Sequence, residues 1–239
     1  MGMVKLMSRS LLALVASATL AGTASAAAND LPYGERLAFS ALRNGQEVGR
    51  HELSFKREGD RLTVSVAIDL IGRLLGIVVY RYSHRGQEIW QGDRIETLRT
   101  ATDANGRKLA VRGRLEAERF VVERETGSND QVSQQDQVRP GAAVEREAFP
   151  SDIFPSSHWN IRQVEARRLL NTQYGTLSTV RIERKSIERV RTRSGEIEAT
   201  RYAYTGEVEK EQWFDARGRW VKTRFKASDG STIEYLLQD

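Results

Sequence analysis

Residues 81–90, RYSHRGQEIW, bring an imidazole, a carboxylate and two aromatic rings within ten positions. His84 and Glu88 are the types that exchange protons in catalysis. Tyr82 and Trp90 offer flat apolar faces with a polar edge. A second version follows at 201–213, RYAYTGEVEKEQW. There Arg201, Tyr202 and Gly206 match Arg81, Tyr82 and Gly86, and Glu211 and Trp213 match Glu88 and Trp90 after a three-residue insertion. The pair reads as an internal duplication, each half giving one related hairpin to a common sheet.

On a strand, residues two apart share a face, which groups Tyr80, Tyr82 and His84, and separately Glu88 with Trp90. A hairpin loop of Arg85-Gly86-Gln87 places Tyr82 opposite Trp90 and His84 opposite Glu88. A loop of Arg85-Gly86 alone sets Arg81 against Trp90, and one residue of slip turns every side chain over. In either register an aromatic ring, a cation and a carboxylate meet. The favoured meaning is a cross-strand pair stabilising by roughly 0.2–1 kcal/mol. The competing one is an acid–base dyad of Glu88 and His84, with Asp69 as a third member. It is weakened by Tyr204, which stands where the second version would need a histidine.

Other chemistries find little to build with. There is no glycine-rich phosphate loop, nucleophile elbow or paired metal-ligand motif. Ser156-Ser157-His158 sets hydroxyls beside an imidazole, but adjacency along the chain is not triad geometry. Cysteine is absent and the only histidines are His51, His84 and His158, so neither a zinc site nor any cofactor is expected. Disulfides are excluded, and stability must come from burial.

The elements that must hold these residues read as strands. Leu62, Val64, Val66, Ile68 and Leu70 alternate with Thr63, Ser65, Ala67 and Asp69, the period of a half-buried strand. Leu37, Phe39 and Ala41 do the same ahead of Asn44-Gly45, a dipeptide suited to tight hairpins. Residues 70–80, LIGRLLGIVVY, suggest a bend and then a buried strand from Ile77, or else a lipid-touching flap. Residues 124–148 are polar and read as a linker or loop. Pro150 and Pro155 announce short helical turns near 150–170. Arg189, Arg191 and Arg193 share one face of a strand whose charges would guard an open edge, or else meet an anionic headgroup.

At the N-terminus, Lys5 and Arg9 precede the apolar run LLALVASATLAG and then Ala24-Ser25-Ala26. That is the pattern of a signal peptide cleaved after Ala26. The run is shorter than the roughly 20 residues of a permanent span, and no cysteine follows it to carry a lipid. The expected protein is therefore exported, periplasmic in a Gram-negative bacterium, without a transmembrane span and not a lipoprotein. Its net charge of +5 does not imply nucleic acid, from which export separates it.

The stretches YRYSH, EIWQG and DANG, with WFDARGRWV and DGSTIEY near the C-terminus, resemble an uncharacterised family of exported bacterial proteins, domain-of-unknown-function family 6134. The resemblance spans nearly the whole mature chain and implies no activity or catalytic residue. The resulting expectation is a mainly β protein: one large curved antiparallel sheet or open β-barrel of two related hairpin-rich halves. The segments are 1–26 signal peptide, 27–123 first half, 124–148 linker, and 149–239 second half completing the same sheet. A curved sheet has a concave face, where Tyr82, His84, Glu88, Trp90, Tyr202 and Trp213 would line or support a site for a lipidic or other amphipathic envelope component. Leu74, Leu75 and Ile77 would close it. The alternative roles are an envelope assembly or structural partner and, behind it, a hydrolase using Glu88 and His84.

Overall fold

The computed structural model describes residues 31–126 and 144–238. The signal-peptide expectation for 1–26 and the middle of the expected linker lie outside these residues. The linker's ends do not behave as loop: residues 124–126 finish one strand, and 144–148 begin the next.

Fifteen strands form one sheet among the described residues. In chain order they are β1 (Arg36–Arg43), β2 (Gln46–Glu58), β3 (Arg61–Leu74), β4 (Ile77–Gln91), β5 (Arg94–Ala104), β6 (Arg107–Glu116), β7 (Arg119–Thr126) and β8 (Val144–Pro150). Then come β9 (Phe154–Pro155), β10 (Arg168–Leu170), β11 (Leu177–Arg191), β12 (Glu196–Gly206), β13 (Lys210–Asp215), β14 (Trp220–Lys226) and β15 (Thr232–Leu237). A single 3₁₀ turn, Ile161–Glu165, falls in the region expected to be helical, with the Asn160 side chain accepting from the Arg162 amide.

The strands run antiparallel in a meander, and β1 pairs with β15, joining the N-terminal run β8–β1 to the C-terminal run β15–β9. The two ends of the sheet, β8 and β9, are separated by only three residues of chain but do not pair. Instead β9 pairs parallel with β10, and the segment after β10 lies on the inner face of the opposite half. Thr100 of β5 donates to the Thr172 carbonyl at 2.6 Å. Gly175 packs so close to Val111 and Val122 that a β-carbon there would sit 3.1–3.2 Å from their methyls. The sheet is thus rolled with one edge tucked inside, and no barrel closes.

Alternation decides which residues fill the roll. Leu37, Phe39, Leu53, Phe55, Leu62, Val64, Trp90, Ile95 and Leu98 are buried together with Phe214, Trp220 and Leu237 from the far half. Phe39 stacks on Trp220 with ring centres 3.8 Å apart. The outer face carries arginine–carboxylate pairs such as Arg85–Asp69 and Arg124–Glu147.

Two sequence expectations change here. Residues 81–90 are not a hairpin but the middle of β4, paired without interruption from Leu62↔Trp90 to Leu70↔Tyr82. Gly86 is therefore an in-strand glycine, whereas 201–213 does turn, between β12 and β13. The two stretches are alike in sequence and different in structure. Nor does a buried strand begin at Ile77. β2 pairs with β3 only as far as Leu70, and β5 reaches β4 only at Tyr82, so residues 71–81 form a two-stranded tip. Leu75 and Gly76 turn it with φ of 50° and 83°, a conformation open to glycine and strained for leucine. Leu75 is 95% and Ile77 70% exposed.

Candidate functional site

Because β4 is one strand, Tyr80, Tyr82, His84, Gly86, Glu88 and Trp90 all project to the same side, the inside of the roll. Tyr82, His84, Gly86 and Glu88 line an interior cavity of about 270 Å³. Beside them on the same run of strands stand His51 of β2 and Thr100 of β5, and the lining is completed by Ser156–His158, Lys210 of β13 and Tyr235 of β15. Val66, Ile68, Leu98 and Leu169 supply apolar wall. The lining residues that reach solvent include Gln173, Ser178, Val208, Glu209 and Phe225. The mouth therefore lies between the β10–β11 connection and the β12–β13 turn.

Glu88 is buried, yet no cation among the described residues pairs with it. Its Oε2 accepts from the indole nitrogens of Trp90 at 2.9 Å and Trp159 at 3.0 Å. Desolvation raises its pKa most strongly, opposed by hydrogen bonds from Ser157, Trp90 and Trp159. Trp90 thus supports the site from beneath and does not line it.

All three histidines of the chain meet at this cavity. His84 Nδ1 lies 2.8 Å from the Thr102 hydroxyl. Burial, followed by the neighbouring Arg85 charge, lowers its pKa to about 4. His51, packed among Phe39, Trp220 and Tyr235, is 1% exposed and finds no partner for either ring nitrogen. Burial, with a smaller influence from His84, brings its pKa to about 3. His158 has φ of +75°, an uncommon value for a non-glycine residue. Its Nδ1 faces Lys210 Nζ at 3.2 Å and Gln212 Nε2 at 3.1 Å. The Gln212 amide also reaches the His158 carbonyl at 3.3 Å, which clamps this backbone. Burial first, and then Lys210, pushes the His158 pKa well below the ordinary range.

Lys210 is 7% exposed. Its Nζ sits 4.6 Å from the centre of the Tyr204 ring, and it makes no ion pair among the described residues. Desolvation lowers its pKa to about 7.

The proposed dyad of Glu88 and His84 is not formed. Four residues along one strand separate them by about 13 Å, and each has other partners. Asp69 is on the outer face, bound to Arg85. Ser157 serves Glu88 while His158 turns to Lys210 and Gln212, so no serine–histidine relay exists there. Of the second version, Tyr202 packs edge-on to Phe214 at 6.0 Å without reaching the cavity. Trp213 points outward, donating to Glu188 at 3.0 Å beneath the Lys222 and Arg224 side chains. Its companion Glu211 pairs with Arg201 and Arg224. The matching Glu-x-Trp stretches therefore face opposite sides of the sheet. His51, His158, Lys210 and Gln212 were not expected as a group, because they lie far apart in sequence and the roll alone gathers them.

A rolled, mostly β sheet that is not closed into a barrel defines the fold class. The chain belongs to the family described as Domain of unknown function (DUF6134), whose model matches residues 39–238. A solved structure described as a beta-barrel-like protein of domain of unknown function DUF1849, from Brucella abortus, is similar with a TM-score of 0.55 and 10% identity. The match covers 85% of this chain and 94% of that one, and at this identity it speaks to fold alone. No curated protein matches. No described helix is long and apolar enough to cross a membrane.

Proposed function

We propose that this is an exported, non-catalytic binding protein that holds one small amphipathic molecule of the cell envelope inside the roll. The observation that carries this reading is the cavity wall, where buried His51 leaves both ring nitrogens without a partner among the described residues. A buried polar group that is not hydrogen-bonded costs about 1–3 kcal/mol, and a ligand reaching it recovers that cost. The volume of about 270 Å³ suits a head group with a short chain or ring better than a two-chain lipid. Catalysis is disfavoured because Glu88 is held by two indoles and His84 by Thr102, so the two do not pair.

Gly86 gives the test. A β-carbon there would meet only ordinary contacts at 3.5 Å from His84, Thr100 and Val66. Gly86→Leu therefore extends directly into the cavity without removing a polar group. Delipidated wild-type protein titrated with an envelope lipid extract, followed by the fluorescence of Trp90 and Trp159, should saturate, and Gly86→Leu should bind at least tenfold more weakly. No saturable change in the wild type would sink the proposal.

A further inference from the structure

We infer that the cavity recognises an anionic head group, a carboxylate or phosphate monoester on a single apolar body, with Lys210 as its counter-charge; this rests on reading the cavity as a binding site. Lys210 is a buried amine on the wall with no acidic partner among the described residues. Burial of a lysine without a carboxylate is costly. Among the described residues its amine meets the Tyr204 ring face and the ring nitrogen of His158.

Beside Lys210, Gln212 combines a donor amide nitrogen with Oε1, a buried acceptor that has no partner among the described residues. The Gln212 amide donates to His158 Nδ1, so in the neutral ring the proton sits on Nε2. Neutral His51 likewise has one N–H to offer and no protein acceptor. Two imidazole N–H groups and an ammonium form a set suited to carboxylate or phosphate oxygens, and charge-assisted hydrogen bonds are the strong kind. The other ionisable groups on this wall do not compete. His84 is held by Thr102, Glu88 is wrapped by its indoles, Tyr82 donates to Gln173 at 2.9 Å, Tyr235 packs against His51, and Glu209 is exposed at the mouth. The apolar body would lie along Val66, Ile68, Leu98 and Leu169.

An anion bound at a lysine that is largely neutral in the free protein must draw a proton with it. The experiment is calorimetric titration of the full chain with decanoate, monodecyl phosphate and decanol at pH 8.5, in two buffers of different ionisation heat. The expected result is binding of one or both anions at least tenfold tighter than decanol, with close to one proton taken up per ligand. Lys210→Met should remove both the preference and the proton uptake while decanol still binds. Tighter binding of the phosphate or of the carboxylate says which head group is native to the site. Equal affinity for decanol and the anions, or anion binding without proton uptake, overturns the inference and leaves the binding function standing. Failure of all three probes to bind overturns both.

Discussion

Glu88 shows how a single carboxylate is kept inside without a counter-ion. Two indole N–H groups and a hydroxyl replace water, and they depend on it as much as it does on them. Glu88→Ala leaves the Trp90 and Trp159 donors buried and unpaired, so it should cost about 2–4 kcal/mol. In a domain of this size that lowers Tm by roughly 10 °C. An unchanged Tm would show that the carboxylate is not a structural anchor. The histidines make a second prediction. Each has a folded-state pKa below its ordinary 6.5, so above pH 6.5 it is neutral in both states. As pH falls below 6.5 the unfolded chain takes up protons first, and stability is lost toward pH 4 for His84 and pH 3 for His51. His84 alone accounts for ~3 kcal/mol of that loss. Glu88, raised, works in the opposite sense, but it is one group against three. Lys210, lowered to about 7, adds stability as pH rises from 7 toward 10.5. Chemical denaturation at pH 4.5, 6.5 and 9 should therefore give a rising midpoint, and a flat profile would contradict the burial of these rings. The candidate site was half legible in the sequence. Tyr82, His84, Glu88 and Trp90 sit at even spacing in one stretch, whereas His51, His158 and Lys210 gave no local signal that they face the same space.

At the scale of elements, β4 is what brings the site together, and the sequence misled at its centre. Arg85-Gly86 has the composition of a turn, yet Gly86 has no positive φ and pairs with both Val66 and Thr100. Glycine serves there to leave room on the cavity wall. The strict alternation at 62–70 was read correctly because one face of β3 is buried throughout, and alternation reports burial rather than turns. At the β3–β4 tip the apolar run was read as buried because its composition matches an interior strand. In fact β3 and β4 outrun their neighbours, and nothing in the described residues covers the tip. Leu75→Ser should change stability by less than about 0.5 kcal/mol, whereas Gly76→Ala, forced to keep φ near 83°, should lose about 1 kcal/mol. A large loss on Leu75→Ser would mean that the tip is packed in solution. Farther along, β11 pairs with β10 only through Leu177–Thr179, leaving its edge from Arg181 onward open. Its arginines and glutamates, and the irregularity between Arg184 and Ile187, guard that edge against pairing with another chain.

For the whole molecule, the β1–β15 pairing is decisive. It makes the first and last strands neighbours, so the sheet grows outward from its middle and then rolls until one edge lies inside the other half. The mainly β class and the single curved sheet followed from alternation and turn spacing. The roll did not, since it depends on contacts such as Thr100 with Thr172 between residues with no shared local pattern. The same roll makes the cavity, which is why fold and function stand or fall together here. The most direct test is native mass spectrometry of the protein purified from its own host, before and after organic extraction. A single stoichiometric adduct of small mass that leaves with solvent, and is missing from Gly86→Leu, is the predicted result. A clean polypeptide mass in both proteins would contradict the binding function and leave the buried histidines as scaffold.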